Sequence, residues 1–306
     1  MKKICIVLAI LICICGFSAC NKKGSLHAIN SFSVQEDALE TAYGKDAKVV
    51  LLMGQSNATG VALNTYFEKN DSAEYAKAVQ GYDDVLINYM VDNGSNTSDG
   101  RFVKAVPGQG WKEGYFGPEV GLANKLAGQY GDATVFILKY TWSGTVLDYQ
   151  WMNGKYGRGE LYNAAISFFK TSLKYLKSKG YNVEIMAACW MQGESDAFVE
   201  ETYSRYYTNT QKMVEYLRKD LNKYSDKFIF VDAGIAEIDN LWVNSTKIND
   251  AKKKYAEDTE YSKYFSTQEM GLTTLYEPEE SPDLAHYDSM SAFALGQKFG
   301  ELILEG

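Results

Sequence analysis

Four stretches of the chain are continuously apolar and rich in β-branched residues: KVVLLMG from about residue 48, ATVFILKYT from about 133, VEIMAACWM from about 183 and KFIFVDAGIA from about 227. A strand with one wet face alternates apolar and polar side chains. These runs do not alternate, which predicts strands covered on both faces, as in a parallel sheet. Between them the apolar spacing becomes helical. PEVGLANKLAGQYG opens with a proline suited to a first helical turn and closes at a glycine. LYNAAISFFKTSLKYLKSKG sets Ile166, Phe169, Leu173 and Leu176 on one stripe and stops at Gly180, and TYSRYYTNTQKMVEYLRKDLNKY and SMSAFALGQKFGELIL are two further amphipathic helices.

Strands that alternate with helices imply right-handed βαβ crossovers and hence an α/β fold, a three-layer α/β/α sandwich with a mainly parallel central sheet. Residues 61–116 and 240–282 carry weaker periodicity with many polar and aromatic side chains, and are expected to be loop-rich insertions over that sheet. No internal repeat or heptad is present in the sequence.

The N-terminus follows a different pattern. Lys2 and Lys3 precede ICIVLAILICICGF, an apolar run of export-signal length that is short for a membrane span. Phe17, Ser18 and Ala19 followed by Cys20 resemble the lipobox of bacterial lipoproteins, although Phe17 stands where a smaller aliphatic residue is usual. The resemblance implies a signal peptide over residues 1–19, lipidation at Cys20, and a lipid anchor holding an exported protein at the cell envelope. Residues 20–46 then read as a polar tether and residues 47–306 as one domain.

Composition narrows the class. With 46% hydrophobic and 23% charged residues the chain can bury a full core. Four of the five cysteines lie in the first twenty residues, the last of them the expected lipidation site Cys20, so the exported part has no partner for Cys189, which sits in EIMAACWM and reads as a small buried hydrophobe. The formal net charge of −8 excludes a nucleic-acid partner, which would need a basic face. Lys252, Lys253 and Lys254 form a short basic run expected on a solvated helix face.

Open parallel sheets bind ligands beyond the carboxyl ends of their strands. GQSN follows the first apolar run and WMQGESD closes the third, so both polar clusters are expected at one edge. A serine hydroxyl is a poor nucleophile without a general base, and imidazole is the usual one. The chain has two histidines, His27 in the tether and His286 in SPDLAHYDSMSAFALG, which leaves His286 as the candidate. Asp283 lies three residues before it, a spacing from which one turn can present carboxylate and imidazole together. Asp288 competes for that role, and a plain surface turn leading into a helix also fits.

Four blocks in order carry a family resemblance: GQSN at 54–57, FGPEVGLANKL at 116–126, WMQGESD at 190–196 and DLAHYDSMSAFALGQKF at 283–299. Together they resemble the sialate O-acetylesterase and acetylxylan esterase group, carbohydrate esterase family six, within the flavodoxin-like SGNH hydrolases. The resemblance implies Ser56 as nucleophile, His286 as base and Asp283 as its orienting acid. It implies an oxyanion hole from the Ser56 and Gly117 N–H groups and the Gln192 amide, with Gln55, Asn57 and Glu194 supporting the site or touching substrate.

Where the wider superfamily has asparagine in the third block this chain has Gln192, as the carbohydrate esterases do, and GQSN in place of GDSL speaks against a lipase. The implied substrates are acetylated xylan-type glycans or O-acetyl sialic acid. No metal or organic cofactor is required, and the clustered His and Cys of a zinc site are missing from the sequence. Tyr66, Tyr82, Tyr89, Trp111, Tyr115, Trp142, Tyr149 and Trp151 fit either a glycan cleft or ordinary packing. Two rivals stand beside this reading: a glycan-binding lipoprotein without turnover, since fold alone does not establish function, and a lipase- or thioesterase-type hydrolase, which would need an apolar acyl channel.

Overall fold

The structure, a computed structural model, describes residues 32–306 apart from residues 226 and 239. The expected signal peptide, Cys20 and the first part of the expected tether lie outside the described residues. Six parallel strands form the sheet: β1 (Asp46–Gly54), β2 (Val85–Val91), β3 (Thr134–Thr141), β4 (Asn182–Met191), β5 (Ile229–Ala233) and β6 (Ser262–Phe265). Their spatial order is β6-β5-β4-β1-β3-β2, and the short strands Asn96–Thr97 and Val103–Lys104 add antiparallel pairs to β2. The chain runs from β1 out to β2, back to β3 beside β1, and then crosses to β4 on the other side. The carboxyl end of β1 is therefore the topological switch point, where a crevice opens between diverging connections.

Helices cover both sides of the sheet: α1 (Ser56–Thr59), α2 (Asn64–Asn70), α3 (Ser72–Gln80), α4 (Pro118–Leu126), α5 (Glu160–Ser178), α6 (Tyr206–Leu221), α7 (Ser245–Asp258) and α8 (Ser289–Leu304). The continuous apolar runs are buried as expected; every residue of β3 is inaccessible or nearly so. α4 and α8 approach so closely that a Cβ on Gly296 would stand 2.0 Å from the Pro118 carbonyl oxygen, and one on Gly121 would stand 1.9 Å from that of Phe293. Only glycine at both positions permits this crossing.

Three expectations need correction. The supposed loop-rich insertions contain β2, β6, α2, α3 and α7. VLINYMV is short and bordered by polar residues, and α7 buries few apolar side chains, so neither pattern stood out. The basic run is not one solvated face: helical spacing puts Ile248, Asn249, Lys252 and Tyr255 on the inward side of α7, and Lys252 is buried with Asp232 of β5 at 2.5 Å, while Lys253 and Lys254 are exposed. The described end of the tether is docked. Phe32, Val34, Ala38 and Leu39 pack on the core, with the Phe32 and Phe168 rings 4.5 Å apart.

Candidate active site

β1 ends at Gly54, whose φ of 142° and approach to Met191 leave no room for a side chain: a Cβ would meet the Met191 carbonyl oxygen at 1.9 Å. The chain turns there, the Gln55 N–H donating to the Met191 carbonyl at 2.9 Å, and enters the one-turn helix α1 with Ser56 at its first position. No side chain caps α1, which leaves the Ser56 N–H in the first turn, where helical N–H groups lack intrahelical partners. Ser56 is 8% exposed.

Asn57, the next residue, joins this helix to the C-terminal block. Its Oδ1 accepts the Tyr287 N–H at 3.1 Å and its Nδ2 donates to the Ala285 carbonyl at 3.3 Å, so the backbone on either side of His286 is fastened to the residue after Ser56. The same Nδ2 donates to Glu194 Oε1 at 2.8 Å, which brings in the third block. Glu194 is 1% exposed and its Oε2 has no hydrogen-bond partner among the described residues. Burial pushes its carboxyl up from the ordinary range, against the pull of the Asn57 bond and the charges of Lys252 and His286.

Asp283 Oδ2 lies 2.7 Å from His286 Nδ1, and its Oδ1 accepts the Ala285 N–H at 3.0 Å. Partial burial alone would raise this carboxyl, yet the His286 bond and charge, with the Ala285 and His286 N–H groups, hold it below its usual value. It is thus the carboxylate that fixes the imidazole. Its competitor Asp288 faces elsewhere, accepting the N–H groups of Glu277 and Tyr276 ahead of α8.

Two of the three expected oxyanion donors are already bonded within the fold. Gly117 lies against Gly60, just beyond α1, but its N–H donates to Glu119 Oε1 at 2.9 Å, a carboxylate reaching back over the first turn of α4. Gln192 is fully buried. Its amide nitrogen lies 2.6 Å from Asp196 Oδ2, 2.7 Å from the Thr145 carbonyl and 3.2 Å from Gln55 Oε1. An amide nitrogen carries two hydrogens, and the two shortest contacts use both. Gly117 and Gln192 therefore stand at the site as engaged donors, for the physical reason that a carboxylate follows each within four residues. Burial lifts Asp196 itself to about 7, against the hydrogen bonds from Gln192 and the Leu147 and Asp148 N–H groups.

Sequence reasoning passed over Lys139 and Glu119. Lys139, in the middle of β3, is fully buried and its Nζ bonds the Thr59 carbonyl (2.8 Å), the Gln109 carbonyl (2.8 Å) and Glu119 Oε2 (2.7 Å). A lone charge inside ATVFILKYT was the signal available. Among the aromatic candidates, Trp151 is buried edge-on to Trp190 and Tyr89 is 8% exposed, so both are packing residues. Trp111 is 42% exposed, with its backbone N–H donating to the Gly60 carbonyl and Lys112 Nζ 4.6 Å from its ring.

A family model described as SASA, carbohydrate esterase, sialic acid-specific acetylesterase, matches residues 46–305. Among solved structures the chain is similar to a protein from Arabidopsis thaliana, with a TM-score of 0.62 and 20% identity over 85% of this chain and 98% of that one. It is also similar to NanS, with a TM-score of 0.60 and 15% identity over 86% and 98%. At such identities the likeness is one of fold. No curated protein matches the chain.

Proposed function

The chain belongs to the sialic acid-specific acetylesterase family of carbohydrate esterases, and from that premise we propose that it is a serine esterase removing O-acetyl groups from carbohydrates through an acetyl-serine intermediate. The observation that carries this reading is Asn57, which ties both flanks of His286 to the helix that begins at Ser56 while Asp283 holds the far ring nitrogen.

His286 takes the Ser56 proton as the hydroxyl attacks the acetyl carbonyl, Asp283 stabilises the resulting imidazolium, and the sugar oxygen leaves with that proton. The tetrahedral oxygen develops negative charge at the start of α1, where the Ser56 N–H can donate to it. Gly117 and Gln192, engaged by Glu119 and Asp196, shape the hole around that donor. Water then releases acetate by the same route. The leader and Cys20 fit an exported, lipid-anchored esterase facing polymeric or cell-surface glycans.

Acetate release from O-acetyl sialic acids and acetylated xylo-oligosaccharides, run beside p-nitrophenyl esters of increasing chain length, tests the reading. Release from a sugar ester with a preference for acetyl supports it. Preference for long acyl chains points to a lipase, and no release from any ester points to a binding protein.

A further inference from the structure

We propose that Lys139 and Glu119 are positioning residues for the reaction, a buried strut that sets the nucleophile helix and the Gly117 turn in register; the proposal rests on the esterase reading above. Lys139 pairs in register with Leu52 of β1 and Tyr89 of β2, so its side chain rises from the centre of the sheet. An ammonium in such a place is costly unless all its donors are met. Here they are met by three separate pieces of chain. Thr59 is the last residue of α1, Gln109 lies in the loop before Gly117, and Glu119 is in the first turn of α4. Burial pulls the lysine pKa down, and the carboxylates of Glu119 and Asp92 oppose it.

Glu119 uses its two oxygens for two different tasks, Oε2 for Lys139 and Oε1 for the Gly117 N–H. The ammonium therefore reaches the glycine backbone through one carboxylate and the nucleophile helix through one carbonyl. It also neutralises a negative charge close to where the acetyl oxygen becomes anionic. A carboxylate left alone there would oppose that charge.

A plain stabilising pair and a positioning strut differ in their response to substitution. Buried ion pairs can often be replaced by apolar residues of similar volume with little loss of stability. The double variant Lys139→Met with Glu119→Met keeps volume and removes both charges, whereas Glu119→Asp keeps both charges and shortens the arm, so one of its two tasks is lost. Turnover of p-nitrophenyl acetate, normalised to Ser56 titrated with a fluorophosphonate, is read beside Tm. The strut predicts that folded variants lose about 100-fold in kcat, the scale of a misplaced reacting group, with KM little changed.

Wild-type kcat in either folded variant overturns the proposal. Should the double variant not fold, Glu119→Asp decides alone. A wild-type protein inert toward every ester would overturn the esterase reading and the strut together, whereas an active wild type with unimpaired variants overturns the strut only.

Discussion

Asn57 spends both ends of its amide on chain far away in sequence, and no other residue type of its size offers a donor and an acceptor in one plane. Asn57→Ala is expected to reduce kcat by roughly 100-fold while KM for a small acetyl ester moves little, because the imidazole loses its seat but the acyl crevice does not. Ser56→Ala should reduce turnover by roughly 10⁶-fold, the scale of nucleophile loss in serine hydrolases, with Tm unchanged. Wild-type turnover in that variant would dismiss Ser56 as nucleophile.

Asp196 gives a prediction of a different kind. Its pKa stands at about 7 in the fold against an ordinary 3.8, so the native state holds a proton that the unfolded chain releases. Its contribution to stability is complete below the ordinary value and is lost as pH rises through about 7. Tm should therefore fall between about pH 4 and pH 7 and level off above that, and Asp196→Asn should flatten the fall. An identical slope in the variant would show that other groups carry it.

At the scale of elements, α4 and α8 matter because one follows Gly117 and the other follows His286. Their glycine crossing fixes the distance between those two corners. Gly296→Ala drives a methyl group into the Pro118 carbonyl, and the overpacking should cost about 3 kcal/mol in denaturant unfolding. α7 docks on β5 through a buried ion pair; Lys252→Met would leave Asp232 buried without its cation and should cost roughly 3 kcal/mol or more. The four long apolar runs were legible as strands because a run buried on both faces needs no context to be recognised. β6 and α7 were not, because an edge strand and a polar helix draw their stability from neighbours that no local window contains.

Across the whole molecule, the sheet order places β1 centrally, so that GQSN, WMQGESD and the C-terminal block meet over one edge. The segment 32–45 closes the opposite part of the body, and Phe32, Val34 and Leu39 add apolar contact there. A protein beginning at Asp46 should unfold at lower denaturant than one beginning at Phe32, by about 2 kcal/mol from the apolar area uncovered. Equal midpoints would mean that the segment only rests on the surface. On the proposal that Cys20 carries a lipid anchor, Cys20→Ala should abolish fatty-acid labelling and release the protein from the membrane fraction; labelling that persists would refute anchoring at Cys20.

Sequence by itself determined the α/β class, the glycine turn before Ser56 and the candidacy of Asp283 and His286, because each depends on a local pattern: uninterrupted apolar runs, a glycine turn, and two side chains three residues apart. Tertiary structure alone decided which donors around Ser56 are already engaged and why a lysine stands inside β3. Glu119, Asp196 and Lys139 act on partners from other strands and loops, and a hydrogen bond between distant segments leaves no periodicity along the chain.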